Sequence, residues 1–566
     1  MLDVIIRNGM VYDGLGGEPY RADIGIKDGL IAVIGKVAEP AVEIIDAAGL
    51  MVTPGFVDVH THYDGQVIWE SRLLPSSAHG VTTVVMGNCG VGFAPCRTQD
   101  HDALIALMAG VEDIPEVVMA EGLAWNWETF PEYLDAIESR PHDINIAALI
   151  PHSALRVYVM GERAINREPA TPEDIEKMAA LSEEAMEAGA IGFGTSRAVQ
   201  HKSVSGEPIP TVRANEDELA AIVKKVQGRG GYFQVLSDFD EFQDMEGEFN
   251  MLTRVSNSGT MSFTLQQKHS APDDWRTILN LAEAANDAGL TVKPQVLPRP
   301  TGVLLSHELT ATPLDSSPTY QTLKAGSFEA LIEALKDVDT KAKILSELSD
   351  NPIIKLSHVF ELGTEVNYEP EQELNVVSKA ESLGRDPADY VYDLMLQDGG
   401  RRVLFSPFQN YADFSLNPSY EMLTHRDTIV GLGDGGAHLG LICDASYPTT
   451  LLSYWSRDRV RGPTLALTDV IKKMTSETAK LAGLHDRGRL AVGYRADINI
   501  IDHANLMMEL PTPIFDLPAG GRRIVQGAQG YVATLVSGVV TQKAGVPTGA
   551  LPGCLIRGVQ SAPALQ

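Results

Sequence analysis

Two histidines, His60 and His62, close the run Gly55-Phe56-Val57-Asp58-Val59-His60-Thr61-His62. In extended backbone, side chains two residues apart point to the same side, so both imidazoles can converge on one point. That is the arrangement a metal ion needs from neutral imidazole ligands. Asp58 shares the side of His60 and can orient an imidazole or reach the ion. A second candidate follows another apolar run, in Met86-Gly87-Asn88-Cys89-Gly90. A thiolate at Cys89 is a good zinc ligand, and metal binding itself removes the proton. The third is Asp434, in Gly431-Leu432-Gly433-Asp434-Gly435-Gly436-Ala437-His438. A carboxylate there can touch a metal and accept a proton from water that the metal has acidified. Together these residue types suit metal-assisted hydrolysis.

The elements that must place them read as βα units. Eight apolar, β-branched runs are candidate strands: 51–58, 81–86, 144–150, 190–194, 232–236, 261–265, 290–296 and 428–432. Such alternation with helices predicts a parallel sheet. One helix is well marked, from Pro172 to Ala188, with Thr171 as cap, proline at the first helical position, and Ile175, Met178, Leu181, Ala185 and Met186 on one face. Eight units predict an α/β fold, a (β/α)8 barrel whose carboxyl-terminal strand ends carry the chemistry. Residues 300–425 are long for one connection and are expected to form an insertion over the barrel mouth, with helices at Phe328–Leu335 and Pro387–Leu396 and strands at 353–356 and 403–405. Both ends of the chain are strand-rich. Runs at 4–6, 10–12, 23–26 and 30–34, with turns at Asn8-Gly9 and Asp28-Gly29, mirror runs at 497–501 and 531–540, where Ser537-Gly538 turns the chain. The expected organisation is a composite β-sandwich from residues 1–50 and 486–566 around a barrel spanning 51–485.

The 566 residues are 44% hydrophobic and 21% charged, an ordinary globular composition. Forty-five Lys and Arg against 75 Asp and Glu give a formal charge of −30, which disfavours nucleic acid and anionic membranes as partners. The N-terminus lacks a basic segment followed by an apolar stretch, and no apolar run is long enough to span a bilayer. Four scattered cysteines do not form a disulfide framework. A cytoplasmic location is the expectation.

The HxH, GNCG and GDGGAH motifs together resemble the amidohydrolase superfamily, in particular its D-aminoacylase (N-acyl-D-amino-acid deacylase) branch. Supporting likeness runs through Val52–His62, Gly80–Gly90, Leu149–Arg156, Ala188–Ser196 and the return Gly488–Asp497, close to the full length. The resemblance implies a distorted (β/α)8 barrel with a small β-sandwich built from both ends of the chain, and hydrolysis of a linear amide by metal-activated water. It implies His60 and His62 as first-strand ligands, Cys89 as the thiolate that replaces a carboxylated lysine of other branches, and Asp434 as both ligand and catalytic base. The chain also departs from the pattern. Where the branch places a histidine at the end of the fifth strand, this chain reads Gly231-Tyr232-Phe233-Gln234-Val235-Leu236. Where it places His-His-Lys after the sixth, this chain reads Gln266-Gln267-Lys268, followed by His269. An amide oxygen is a poor zinc ligand, so one zinc ion rather than two is expected, unless a register slip brings in His269.

Lys268 matches a lysine of the family pocket, and Gln266, Arg197 and His438 are further candidates for substrate contact. No counterpart is found for the arginine that takes the amino-acid carboxylate. The expected partner is a small N-acyl compound, with association into a homo-oligomer left open. Two other readings stand beside this one: hydrolysis of an ester, lactone or carbon–carbon bond at a one-metal site, and a metal-depleted barrel that only binds.

Overall fold

The computed structural model describes residues 1–239, 244–257, 259–349, 354–363 and 366–564. Eight parallel strands follow one another around a curled sheet in chain order: β1 (Phe56–Asp58), β2 (Val81–Met86), β3 (Asn145–Pro151), β4 (Gly192–Ser196), β5 (Tyr232–Leu236), β6 (Thr260–Thr264), β7 (Thr291–Val296) and β8 (Ile429–Val430). The interior is packed with Val57, Val85, Ala147, Leu149, Ile191, Tyr232 and Ile429, closed from one end by Ala479, Leu481, Leu484 and Ile556. Among the described residues no ladder joins β8 to β1. The ring closes just beyond their ends, where Asp434 N–H donates to His60 C=O at 3.1 Å and His62 N–H donates to Gly435 C=O at 2.7 Å. The expected extension of β8 to residue 432 fails because Leu432 is left-handed (φ 64°) and cannot continue a ladder.

The predicted helix at Pro172–Ala188 forms as read. Thr171 and Asp174 make a reciprocal capping box, and Gly189 ends it.

The apolar run at 51–58 is not one barrel strand. It divides at Gly55: Met51–Pro54 joins the terminal sheet, pairing antiparallel with Ile498–Ile501, and only Phe56–Asp58 enters the barrel. A Cβ on Gly55 would lie 2.1 Å from Thr82 Oγ1, so this close approach admits only glycine. The terminal sheet has nine strands drawn from both ends of the chain, four residues further than the expected limit at 50. Asp28-Gly29 and Ser537-Gly538 are hairpin turns as read. Asn8-Gly9 is not. It is a bulge within the single strand Leu2–Val11, with Asn8 left-handed (φ 61°), and both halves pair with Tyr20–Lys27.

The C-terminal segment does not stay with that sheet either. The hairpin Thr512–Val525 reaches the barrel rim, where Ile524 N–H donates to Leu439 C=O at 2.8 Å. Residues 553–560 run beneath the barrel, bonding to His142, Ile146, Gly189 and Gly483.

The insertion over the mouth carries a three-stranded antiparallel sheet, Thr301–Leu305, Leu404–Gln409 and Phe360–Glu361, and helices that include Phe328–Leu335 and Pro387–Met395, capped by Asp386. The strand expected at 353–356 does not form among its described residues. Ile353 lies outside them, Leu356 opens a short 3-10 turn, and the edge beside Leu404–Phe405 is taken by Phe360–Glu361. Leu304 and Thr310 N–H donate to the carbonyls of Leu441 and Gly440, so the insertion rests on the loop that follows β8. No helix among the described residues is long and apolar enough to cross a membrane.

Candidate metal centre

Asp58, the last residue of β1, accepts the His60 N–H at 3.1 Å and so stiffens the turn that leads into the two histidines. His60 Nδ1 lies 2.7 Å from Gln295 Oε1 on β7, whose amide is itself oriented by donation to Ser262 Oγ at 3.0 Å. With Nδ1 engaged, His60 presents Nε2 inward, 3.4 Å from Cys89 Sγ and 3.4 Å from Asp434 Oδ1. His62 presents Nε2 3.6 Å from the same Asp434 oxygen, and its Nδ1 lies 3.3 Å from Glu112 Oε1. One ligand atom each from His60, His62 and Cys89 falls within 4.8 Å of the others, and all three residues are buried.

The loops that make this possible are strained. Cys89 adopts a left-handed conformation (φ 54°) between Gly87 and Gly90, and its N–H is held at 3.1 Å by Gln234 Oε1 on β5. Asp434 and His438 are also left-handed, at φ 46° and 50°. Such conformations cost about 1–3 kcal/mol each and persist where the surroundings over-determine them.

Burial alone would raise the Asp434 carboxyl, but the contact with His62 and its charge outweigh it and hold it well below the usual range. Burial lowers His60 to about 4, keeping that imidazole neutral. Burial also works against a proton on His62, yet Glu112, Asp434 and Cys89 together raise it well above its ordinary value. The Cys89 thiol is pushed up to about 11, chiefly by burial. The carboxylates of Asp434 and Glu112 flank the His62 ring, one at Nε2 and the other at Nδ1. Two imidazoles, a sulfur and a carboxylate fit a zinc-like divalent ion, whose own charge would displace the thiol proton.

The other expected contacts lie elsewhere. Arg197 is not presented to the cluster: its guanidinium grips Glu248 (Nε to Oε1 at 2.6 Å) and the Ala214 carbonyl. Gln266 donates to Thr301 Oγ1 at 2.9 Å, and Lys268 donates to the Asp238 carbonyl at 2.8 Å. Both line a separate cavity of about 40 Å³ between the loops after β5 and β6, beside Phe239 and Trp275. Gln267 turns into the insertion, meeting Asp413 and Ala412. His269 faces His358, with ring centroids 5.3 Å apart, so no register slip brings it to the cluster. His438 is the one expected substrate contact placed beside the cluster, with Nε2 3.6 Å from Glu112 Oε2.

Glu112, Gln234, Gln295 and His201 were not singled out in the sequence. Glu112 repeats the spacing of Leu104 and Met108 on one face of its helix, a carboxylate in an apolar stripe. The two glutamines interrupt apolar strand runs. His201, 3.0 Å from Ser196 Oγ, follows β4 by only a few residues and feels the charges of His438 and His62.

The amidohydrolase family profile matches residues 43–542. A Mycobacterium tuberculosis protein of undescribed activity is 28% identical over 96% of this chain and 92% of its own length. The D-aminoacylase of Alcaligenes xylosoxydans xylosoxydans is 27% identical over 89% of each chain. Among solved structures, the N-acyl-D-glutamate deacylase of Bordetella bronchiseptica, determined with zinc and a phosphonate inhibitor, superposes with a TM-score of 0.64 at 22% identity, covering 98% of this chain and 99% of that one. A curled eight-stranded barrel with two histidines, a cysteine and an aspartate gathered at its strand ends, and a profile match over most of the sequence, place the chain in the amidohydrolase family.

Proposed function

We propose that the protein hydrolyses a small N-acyl compound, with N-acyl amino acids as the reference class, using one zinc ion. The observation that carries this reading is the approach of both His60 Nε2 and His62 Nε2 to a single oxygen of Asp434, at 3.4 and 3.6 Å, beside Cys89. His60, His62, Cys89 and Asp434 would hold the ion. When bound, the ion supplies a Lewis acid for the carbonyl and lowers the pKa of water toward neutrality. Asp434, kept ionised by His62 beside it, accepts a proton from the attacking water and returns it to the leaving nitrogen. Gln295 keeps His60 in the tautomer that turns Nε2 inward. A single ion is favoured because the amide oxygen of Gln234 is engaged by the Cys89 N–H and Gln267 is engaged by the insertion. The similarity to a D-aminoacylase supports the substrate class.

The test joins metal analysis to a substrate panel. One equivalent of zinc and turnover of N-acyl amino acids are expected. A panel in which every amide is inert while esters are cleaved would overturn the substrate class, and a protein that takes up no ion would overturn the mechanism.

A further inference from the structure

Glu112 ends the helix His101–Glu112 and is 2% exposed. Among the described residues, its ion-pair partners are two imidazoles and no lysine or arginine: Oε1 lies 3.3 Å from His62 Nδ1, and Oε2 lies 3.6 Å from His438 Nε2. Its main-chain carbonyl also accepts the His438 N–H. A buried carboxylate without a cationic partner is costly unless its neighbours donate to it. Here both neighbours stand at ion-pair distance rather than in formed hydrogen bonds, and they belong to opposite sides of the barrel seam, one following β1 and the other following β8.

We propose that Glu112 is a positioning residue that sets two imidazoles with one carboxylate. Through Oε1 it fixes His62 with the proton on Nδ1 and the Nε2 lone pair toward the ion, and through Oε2 it ties His438 at the rim to the same event. The inference rests on the metal reading of the site. The two metal-facing histidines are then unequal. His60 is backed by the neutral amide oxygen of Gln295, whereas His62 is backed by an anion, which makes His62 the more basic ligand. Carboxylate backing of this kind commonly changes metal affinity by roughly 10–100-fold. The neighbouring Asp113 gives an internal contrast. Its Oδ2 accepts from Gly440 N–H at 3.2 Å and Thr310 Oγ1 at 3.3 Å, so it anchors the same helix end to the same rim loop without touching an imidazole.

The test measures the zinc dissociation constant of the full-length protein by chelator competition for the wild type, Glu112→Gln and Asp113→Asn. A glutamine offers only one acceptor oxygen, so it cannot serve both imidazoles as a carboxylate can. Glu112→Gln is expected to weaken zinc binding by about 10–100-fold, and Asp113→Asn to leave it within about twofold. Equal weakening by both variants would assign Glu112 a merely structural role and overturn the proposal, as would an unchanged constant in Glu112→Gln. A wild type that binds no zinc would remove the metal reading itself and the proposal with it. Should Glu112→Gln fail to fold, a crystal structure of the zinc-loaded wild type decides. His62 coordinating through Nε2, with Nδ1 within hydrogen-bond distance of Glu112, is expected; coordination through Nδ1 would overturn the proposal.

Discussion

Two strand ends on the same rim carry similar polar endowments and meet different fates. After β1, His60 and His62 face inward and share one aspartate oxygen. After β6, Gln266, Gln267, Lys268 and His269 also stand in a row, yet each is claimed away from the cluster: Thr301, Asp413 and the ring of His358, all from the insertion, and Asp238, from the loop after β5, hold them. The difference lies in what sits opposite. The β1 end faces the loop after β8, which bends back to close the ring and brings Asp434 with it. The β6 end faces the insertion, whose strand Leu404–Gln409 runs alongside and whose Asn410 side chain accepts the Gln267 N–H at 2.8 Å. A side chain at the carboxyl end of a barrel strand is thus available for chemistry only where no neighbouring layer supplies it with partners.

Substitutions at the two ends should separate cleanly. The largest effect is expected at the β1–β8 seam. Asp434→Asn removes the proton acceptor and should lower kcat by about 10²–10⁴-fold, the usual contribution of a general base, while zinc remains detectable in the purified protein. Full activity in that variant would remove Asp434 from the chemistry. Next, chelation should destabilise the protein: a ligand held at a thousandfold its dissociation constant contributes about 4 kcal/mol. Thermal unfolding with and without chelator measures this, and identical midpoints would mean that no ion is held in the folded state.

At the β6 end the losses should be in stability rather than chemistry. Gln267→Ala strips the partner from the half-buried Ala412 N–H and from Asp413, and should cost roughly 1–3 kcal/mol with zinc content unchanged. Denaturant titration and metal analysis on the same preparation check both halves. The smallest effect is expected from Lys268→Met. Its ammonium lies 3.9 Å from Asp238 Oδ1 and is partly exposed, so the loss should stay below about 1 kcal/mol, again with zinc retained. Loss of zinc in either variant would erase the contrast between the two ends.

How much of this could be read in the sequence follows the range of the interactions involved. The HxH pair, Cys89 and Asp434 were legible because each motif is local: a strand, its end, and a side chain on the inward face. The helix Pro172–Ala188 was legible for the same reason, with its cap and its apolar face both contained in the sequence window. What lay hidden depends on distant partners. The division of residues 51–58 at Gly55 is decided by Thr82 and by pairing with Ile498–Ile501. Asn8-Gly9 looks like a hairpin turn until the strand Tyr20–Lys27 pairs with residues on both sides of it. Glu112 reaches the site from a helix rather than from a strand end, and only its register with Leu104 and Met108 marks it as a carboxylate turned away from water. Arg197 directly follows β4, as a substrate contact would, but Glu248 lies close enough to occupy its guanidinium.

The missing ladder between β8 and β1 has a consequence for how the molecule holds together. Among the described residues, the ring of eight strands is closed by backbone groups of His60, His62, Asp434 and Gly435, with Gln66 donating to the Gly436 carbonyl beside them. An ion held by the side chains of His60, His62 and Asp434 would work as a clasp, joining the first and last units of the cylinder. Residues under selection for turnover are then also under selection for architecture, and drift at this seam is penalised twice.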